Sequence, residues 1–314
     1  MMTKPYISVV IPVYNEQENL RQLFERLTST MDAFGRPWEV LFTNDGSRDN
    51  SMELLKSFHK QRPKQVRVID FSGNFGQHMA IIAAFEHVRG EVIVTLDADL
   101  QNPPEEIPKL LAAIEAGHDS VGGYRRNRQD TFFRKYASKI INGIRAKVTR
   151  IRMKDQGCML RAYRKHIVDN IVASGETSTF IPALAYSYSA NPGDVEVEHA
   201  ARAAGESKYR LYDLIRLNFD LMTGFSMVPL QAFTLFGMIV SVFSFLFVVF
   251  LFIRRIVVGP EAEGLFTLFA ILYFFVGIGI MGLGIIGEYV GRIYKEVRRR
   301  PRFIIRNIYE ETND

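Results

Sequence analysis

Two long stretches without a charged residue constrain the fold of this chain more than any other feature. The first covers residues 228–253 and the second residues 264–287, which are 26 and 24 residues long. At about 1.5 Å per residue, a helix of either length exceeds a hydrocarbon core of about 30 Å. The sequence therefore predicts two membrane-spanning helices. The alternative is a pair of helices buried inside a soluble domain.

The short segment between the two stretches makes them a hairpin, with both ends on one side of the membrane. This loop carries only Arg254 and Arg255 as basic residues, whereas both flanks are more basic. The basic residues of the flanks include Lys208, Arg210, Arg216, Arg292, Lys295, Arg298, Arg299, Arg300, Arg302 and Arg306. Because loops rich in Lys and Arg stay in the cytoplasm, we expect both termini and the domain before the hairpin to be cytoplasmic.

The rest of the chain has the composition of an ordinary folded protein. Aromatic residues make up 12% of the chain, which excludes a disordered protein. The formal net charge is only +5, and the clustering of basic residues near the apolar stretches favours anionic lipid or phosphate ligands over nucleic acid. The single cysteine, Cys158, excludes an intramolecular disulfide, and we expect it to be a packing residue rather than a nucleophile. The apolar run at residues 7–13 lacks a small-residue cleavage site, so we do not expect a signal peptide.

Short apolar runs alternate with helical periodicity in the first part of the chain. The predicted strands are residues 7–12, 39–43, 66–70 and 92–96, and the predicted helices are residues 17–34, 49–61, 77–87 and 104–116. This βαβ alternation is typical of an α/β domain with a mainly parallel sheet. Ligands of such domains bind at the carboxyl ends of the strands.

A basic amphipathic segment follows at residues 129–152. Apolar residues recur there at helical spacing, with basic residues between them. Next to a membrane domain this pattern favours an interfacial helix, and the alternative is a helix that packs on the core and exposes a basic face. Residues 209–219 are predicted as a second interfacial helix.

Three side chains with oxygen ligands follow the strand predicted at residues 92–96. Asp97, Asp99 and Gln101 alternate along the chain, so in an extended segment they share one face beyond the end of the strand. Such oxygens suit a hard divalent ion, which normally also binds substrate phosphates. We therefore predict an Mg²⁺ or Mn²⁺ site. The alternative is that the carboxylates cap the helix that begins near Pro104.

Polar loops follow the other predicted strands at the same edge of the sheet. Residues 12–16 are Pro-Val-Tyr-Asn-Glu, residues 44–47 are Asn-Asp-Gly-Ser, and residues 74–78 are Asn-Phe-Gly-Gln-His. A carboxylate or amide in the first two loops can bind a base or ribose, and backbone N–H groups in the third can face an anion. Each loop alone is also typical of ordinary turns and helix caps.

Together these motifs resemble those of the family 2 glycosyltransferases, whose nucleotide-binding domain has the GT-A fold. Asn44 departs from the family pattern, which has an aspartate there, so we assign the nucleoside contact to Asp45. The residues that the resemblance implies for donor binding are Pro12, Tyr14, Glu16, Asp45, Asn74, Gln77 and Asp97.

The resemblance narrows to the polyprenyl-phosphate glycosyltransferases, relatives of dolichol-phosphate mannose synthase. It rests on residues 97–101, on Asp-Gln-Gly at 155–157 and on the loop at residues 202–209. It implies that Asp99 and Asp155 are the catalytic carboxylates, with Asp155 as a base or as a group that orients the donor. The residues that it implies for binding the lipid phosphate are Arg134, Ser138, Arg202 and Lys208.

Residues 127–130, 157–164 and 178–182 resemble the undecaprenyl-phosphate 4-deoxy-4-formamido-L-arabinose transferases of bacterial lipid A modification. This implies an inverting, metal-dependent transfer of that sugar from its UDP donor to undecaprenyl phosphate, at the bacterial inner membrane and in polymyxin resistance. One alternative is transfer of glucose, N-acetylglucosamine or mannose to a polyprenyl phosphate. Another is a translocation partner of the lipid carrier that only binds nucleotide-sugar. The sequence leaves open whether the chain forms a homo-oligomer.

These expectations divide the chain into four parts. Residues 1–127 form the GT-A core that binds donor and metal, and residues 128–220 form the acceptor side with the interfacial helices. Residues 221–290 form the two membrane helices, and residues 291–314 are a basic cytoplasmic tail.

Overall fold

The structure, a computed structural model, describes residues 4–125, 153–155, 157–176, 180–198, 223, 226–259, 265–298 and 301–311. The chain divides into two units. The first comprises Met1–Lys135, Ile151–Lys208 and Arg300–Asp314, and the second comprises Tyr136–Arg150 and Tyr209–Arg299. The two predicted interfacial helices, at residues 129–152 and 209–219, lie outside the described residues.

An eight-stranded mixed sheet forms the centre of the first unit. Its strands are β1 (Ile7–Val13), β2 (Trp38–Asn44), β3 (Val66–Phe71), β4 (Val92–Thr95), β5 (Ser120–Arg125), β6 (Arg161–Arg164), β7 (Pro192–Val197) and β8 (Ile305–Tyr309). The order across the sheet is β7-β5-β6-β4-β1-β2-β3-β8. Strand β1 is parallel to β2 and β4, β2 to β3, and β5 to β7, whereas β6 and β8 run antiparallel to their neighbours. This mostly parallel sheet confirms the expected α/β class.

Helices of the first unit cover the sheet. They are α1 (Leu20–Phe34), α2 (Ser51–Gln61), α3 (Gln77–Phe85), α4 (Ile107–Glu115), α5 (Lys165–Ser174) and α6 (Ile181–Tyr188), with a short 3₁₀ turn at Pro104–Glu106. Every residue of β1, β2 and β3 is buried, as expected for parallel strands with both faces covered. The four predicted strands and four predicted helices are all confirmed, and the carboxyl ends of β1 to β4 lie at one edge of the sheet.

The second unit contains two long helices, α7 (Val228–Val258) and α8 (Leu265–Val297). The stretches Val228–Val258 and Ile271–Tyr294 are long and apolar enough to cross a membrane. Their large apolar side chains are exposed, for example Phe243 at 69% and Phe252 at 65%. Helices buried in a soluble core would hide these side chains, so the exposure favours membrane helices and fits a membrane-associated protein.

Two parts of the sheet come from segments that the sequence analysis placed elsewhere. Strands β6 and β7 lie in the predicted acceptor-side part, yet β6 pairs with β4 in the middle of the sheet. Strand β8 lies in the predicted basic tail and pairs with β3 at the edge. A five-residue strand among basic residues has too weak a pattern to be recognised, because only the pairing with β3 reveals it.

Candidate active site

Hydrogen bonds join the loop after β1 to the loop after β2. The backbone N–H groups of Asn15 and Glu16 donate to the hydroxyls of Ser47 and Ser51, at 3.1 and 3.0 Å. In return, the side-chain oxygen of Asn15 accepts the backbone N–H of Arg48 at 2.8 Å. Asn15 adopts the left-handed conformation (φ +55°), which asparagine tolerates better than most residues. These two loops therefore form one polar platform at the edge of the sheet.

Asp45 joins the loop after β2 to the loop after β3. One carboxylate oxygen accepts the backbone N–H of Phe75 at 2.6 Å, and the other accepts that of Gly76 at 2.9 Å. Burial raises the pKa of Asp45, and the two N–H groups act in the opposite direction. The anion that these backbone N–H groups bind is thus the protein's own carboxylate. The nucleoside contact of Asp45 stays a prediction.

Glycine is required where these two loops meet. Gly46 has a left-handed conformation (φ +69°), and a Cβ atom there would lie 2.6 Å from the carbonyl carbon of Gly73. No side chain fits at this distance, so only glycine allows the two backbones to come so close. The side-chain amide of Asn74 adds a hydrogen bond of 3.2 Å to the carbonyl oxygen of Asp45.

A buried hydrogen bond explains why asparagine replaces aspartate at position 44. The side-chain N–H of Asn44 donates to the carboxylate of Asp70 at 2.7 Å, and its oxygen accepts the backbone N–H of Ser47 at 3.2 Å. Both Asn44 and Asp70 are buried. An aspartate here would place two carboxylates at hydrogen-bonding distance, so the amide donor fits this site and the usual residue does not.

A concentration of negative charge lies beyond the end of β4. The side-chain amide of Gln77 donates to Asp97 at 2.6 Å. Burial, the charge of Asp99 and the charge of Glu16 together raise the pKa of Asp97 to about 7, although the hydrogen bond from Gln77 lowers it. The structure therefore brings Glu16, Gln77, Asp97 and Asp99 together. The chain turns and bends at residues 98–102, so the extended segment expected for Asp97, Asp99 and Gln101 is wrong. A cation at this place would relieve the repulsion between the carboxylates.

The chain after Asp99 is strained. Leu100 has φ +59°, a left-handed conformation that costs a leucine of order 1–2 kcal/mol. The carboxylate of Asp99 accepts the backbone N–H of Gln101 at 3.1 Å and so closes a tight turn. Neither the 3₁₀ turn that begins at Pro104 nor α4 has a side-chain cap. The alternative that these carboxylates cap the following helix is therefore not supported.

The oxygen ligands of this cluster suit a metal ion that takes its remaining ligands from a bound substrate. The described residues contain no group of three or more His, Cys, Asp or Glu side chains that could hold a metal alone. Mg²⁺ typically binds one or two carboxylates together with substrate phosphates and water. Asp97 and Asp99, with Gln101, match that smaller set.

Asp155, the second predicted catalytic carboxylate, has hydrogen-bond partners at both carboxylate oxygens. Its side chain is 7% exposed. Arg125 donates two hydrogen bonds to the two carboxylate oxygens, at 2.5 and 3.0 Å, and the backbone N–H of Gly157 donates a third at 3.0 Å. Arg161 donates to the backbone carbonyl of Asp155 at 2.6 Å. This arrangement favours a positioning role over a base, and sequence reasoning missed both arginines.

The remaining predicted residues fall into three groups. Tyr14 is 44% exposed at the end of β1, while Pro12 is buried within that strand. Cys158 is buried, and burial raises the pKa of its thiol to about 11, which favours a packing residue over a nucleophile. The predicted lipid-phosphate residues Arg134, Ser138, Arg202 and Lys208 lie outside the described residues, as do residues 127–130 and 177–179.

Comparisons with known proteins identify the family of this chain. The sequence model of the family described as Glycosyl transferase family 2 matches residues 8–172. The chain is similar to the undecaprenyl-phosphate 4-deoxy-4-formamido-L-arabinose transferase of Edwardsiella ictaluri, with 46% identity over 308 residues, which cover 98% of this chain and 95% of that protein. The protein of the same name from Aeromonas hydrophila is 48% identical over 304 residues, which cover 96% of this chain and 93% of that protein.

A solved structure gives a more distant likeness. Glucosyl-3-phosphoglycerate synthase from Mycobacterium tuberculosis, in complex with Mn²⁺, UDP and phosphoglyceric acid, has a TM-score of 0.49 and 14% sequence identity. The match covers 70% of this chain and 76% of that protein. At this level of likeness, nothing about its ligands is transferred to this chain.

Proposed function

Because the chain belongs to glycosyl transferase family 2, we propose that it transfers 4-deoxy-4-formamido-L-arabinose from its UDP donor to undecaprenyl phosphate. The observation that carries this proposal is the similarity to relatives of that name, which extends over 93% or more of their length. The mostly parallel sheet, with polar loops at the carboxyl ends of β1 to β4, is consistent with the GT-A fold. The proposed product belongs to lipid A modification.

The donor binds at the joined loops of β1, β2 and β3 in this proposal. Tyr14 offers an exposed ring on which a base can stack. The loop of residues 44–47 is fixed by Asn44 and Asp45, so it is ordered before the donor arrives. An ordered loop loses little conformational entropy on binding, which favours affinity.

The diphosphate of the donor lies at the acidic cluster, where Asp97, Asp99 and Gln101 would hold a divalent metal ion. When bound, this ion supplies positive charge to the departing UDP. Gln77 holds the carboxylate of Asp97 in place through its hydrogen bond of 2.6 Å. The carboxylates alone would repel a diphosphate, so donor binding and metal binding depend on each other.

The acceptor needs little help from a base. The second pKa of a phosphate monoester is about 6, so the lipid phosphate is largely a dianion at neutral pH. A phosphate oxygen attacks the anomeric carbon, the bond from that carbon to UDP breaks, and attack from the opposite side inverts the anomeric centre. No proton has to be removed, which agrees with a carboxylate of Asp155 that is already bound by Arg125. Arg134, Ser138, Arg202 and Lys208 position the acceptor in this proposal.

We further propose that the enzyme lies in the bacterial inner membrane with the first unit and both termini in the cytoplasm. The support is the excess of Lys and Arg on both flanks of the hairpin over the two arginines in its loop. Protease treatment of spheroplasts and of inside-out vesicles tests this orientation. Residues 291–314 should be cleaved only in the inside-out vesicles.

A donor competition assay tests the function. The purified full chain in detergent receives undecaprenyl phosphate, Mn²⁺ and a mixture of UDP-4-deoxy-4-formamido-L-arabinose with UDP-glucose or UDP-N-acetylglucosamine. Mass spectrometry of the lipid products then gives the ratio of the kcat/KM values. A pocket that hydrogen-bonds the formamide should reject the other donors by more than the roughly 200-fold that a missing methylene can give.

Two other outcomes would contradict the proposal in different ways. Equal or better transfer of glucose or N-acetylglucosamine would replace the sugar and leave the reaction class intact. Binding of UDP-sugar without any lipid product would favour the translocation partner instead.

A further inference from the structure

The segment that follows α8 in the chain contacts the donor loops of the first unit. Strand β8 pairs with β3 in antiparallel register, from Tyr309 opposite Val68 to Ile305 opposite Phe71. Just before β8, the backbone carbonyl of Ile304 accepts the N–H of Ser72 at 2.9 Å. The model of the family ends at residue 172 and does not include this segment.

An aromatic stack connects this segment to the loop after β3. The ring of Phe303 stacks on that of Phe71, with centroids 5.2 Å apart and an interplanar angle of 11°. The ring of Phe71 contacts that of Phe75 edge to face, with centroids 5.5 Å apart. The backbone N–H of Phe75 is one of the two groups that bind the carboxylate of Asp45. The stack of rings therefore ends at Phe75, whose backbone N–H group holds Asp45 in the loop of residues 44–47.

A polar path runs from the same segment to the neighbouring residue of the donor loop. The guanidinium of Arg306 lies 3.7 Å from the carboxylate of Asp70 and donates to the backbone carbonyl of Ser72 at 3.3 Å. The other oxygen of Asp70 accepts the side-chain N–H of Asn44. Asn44 in turn accepts the backbone N–H of Ser47. The two paths thus reach Asn44 and Asp45 independently.

The position of Phe75 matters because Asp45 is buried. Its two carboxylate oxygens have the backbone N–H groups of Phe75 and Gly76 as partners. A shift of the Phe75 backbone would leave a buried carboxylate oxygen without that hydrogen bond, which is costly in a poorly hydrated site. Contacts that hold Phe75 therefore also hold the conformation of residues 44–47.

We propose that Phe303 and Arg306 are positioning residues for the donor. They do not touch the reacting atoms. They hold the loops of residues 44–47 and 73–76 in the conformation that binds the UDP part of the donor. This inference rests on the proposed function only in so far as these loops bind UDP. It assigns a role to a segment that the sequence alone marks as a basic tail.

Titration of UDP into the full chain in detergent, with Mn²⁺ present, tests this role calorimetrically. Phe303→Ala removes the ring that stacks on Phe71, and loss of an aromatic pair predicts UDP affinity about 5- to 10-fold weaker. Phe303→Tyr keeps the ring and should bind UDP within about 2-fold of wild type. Tyr309→Ala is the matched control, because it removes a ring of β8 that lies opposite Val68, three residues before Phe71. It should also stay within about 2-fold of wild type.

Steady-state kinetics separates positioning from a general loss of structure. In Phe303→Ala, the KM for the UDP donor should rise while the KM for undecaprenyl phosphate stays constant. Arg306→Gln should weaken UDP binding about 2- to 4-fold, since an exposed ion pair contributes little, and Arg306→Lys should restore part of the loss. If Phe303→Ala does not fold, the pair Arg306→Gln and Arg306→Lys still decides the question.

Each contrary result has a distinct meaning. UDP affinities of Phe303→Ala and Arg306→Gln equal to wild type would overturn the positioning role, as would an equal loss in Tyr309→Ala. Wild-type protein that does not bind UDP with Mn²⁺ would overturn the proposed function itself, and the positioning role with it.

Discussion

Two sites of the first unit contain aspartates outside the strands and differ in the charges around them. Asp97 and Asp99 lie beyond β4 with Glu16 nearby, and mutual repulsion together with burial raises the pKa of Asp97 to about 7. Asp155 is more deeply buried than Asp97 or Asp99, yet Arg125 binds both of its oxygens. Among the described residues, the first site gathers several carboxylates, whereas at the second site Arg125 neutralises the charge of Asp155.

We propose that this difference separates a ligand-binding site from a site that holds the structure. Carboxylates that lie close together repel each other, and residues with perturbed pKa values often mark binding or catalytic sites. A carboxylate with a bidentate arginine partner instead fixes its own segment and has no free capacity for a metal ion. The charge of the surroundings therefore distinguishes the two sites, although both consist of aspartates in polar loops.

The largest expected effect on turnover comes from Asp99, in the acidic cluster beyond β4. Asp99→Asn keeps the size of the side chain and removes one negative charge, and we expect turnover to fall by about 10² or more. The free energy of unfolding should not fall, because a repulsive charge is removed. Initial rates of lipid product formation and thermal unfolding measure both effects.

The matched control is Asp32→Asn, which changes an exposed aspartate on α1 that pairs with Arg62. It should retain wild-type turnover. Excess EDTA should inhibit the wild-type enzyme, and added Mn²⁺ or Mg²⁺ should restore it. Full activity of Asp99→Asn, or of the wild type in EDTA, would show that the acidic cluster is not a metal site.

Removing either Asp155 or Arg125 should lower the stability of the protein by a similar amount. Asp155→Asn and Arg125→Gln should each lower the free energy of unfolding by about 3 kcal/mol, because each leaves a buried charge without its partner. The double variant should lose less than the sum of the two single losses. Chemical denaturation of the full chain measures these values. If Asp155 were a base, Asp155→Asn would abolish turnover while Arg125→Gln left it intact.

A smaller effect is expected from creating a like-charge pair where the protein avoids one. Asn44→Asp places a carboxylate against Asp70 and should cost about 1–3 kcal/mol of stability at pH 7. Repulsion raises the pKa of the introduced carboxyl in the folded state above its unfolded value of about 3.9. The loss should therefore be greatest above the raised pKa and should shrink as the pH falls towards 4.

The double variant Asn44→Asp with Asp70→Asn sharpens this test, since it exchanges donor and acceptor across the same hydrogen bond. It should recover most of the stability that the single variant loses. Equal stability of the single variant and wild type at pH 7 would show that Asp70 does not determine the residue at position 44.

The smallest effect is expected at Cys158. Its thiol is buried with a pKa raised to about 11, so it is almost entirely protonated at neutral pH. Cys158→Ala should keep turnover within about 2-fold of wild type, since the loss is one small packing group. Iodoacetamide should leave the native full chain unmodified by mass spectrometry. Rapid alkylation with loss of activity would contradict this assignment.

The sequence predicted the parts of the site that depend on local pattern. Alternating strands and helices placed the polar loops at one edge of the sheet, whereas the extended segment assumed for Asp97, Asp99 and Gln101 is a tight turn in the structure. Contacts between distant residues could not be predicted, because no local period encodes them. The pairing of Arg125 with Asp155 spans 30 residues, and that of Asn44 with Asp70 spans 26.

Strand β8 shows the same limit most clearly. It lies after both long helices in the chain, yet it belongs to the sheet of the first unit. A chain that ended after Asp220 would lack this strand and would expose the edge of β3. The order of segments along the chain therefore does not show that the first unit includes residues that follow α8.

Electron paramagnetic resonance of Mn²⁺ in the presence of UDP tests the contrast between the two carboxylate sites most directly. Mn²⁺ is titrated into the full chain, and the signal of free Mn²⁺ gives the bound fraction for wild type, Asp99→Asn and Arg125→Gln. We predict that wild type and folded Arg125→Gln bind Mn²⁺ with similar affinity, whereas Asp99→Asn binds it at least about 10-fold more weakly. Undiminished binding in Asp99→Asn, or loss of binding in folded Arg125→Gln alone, would contradict the account.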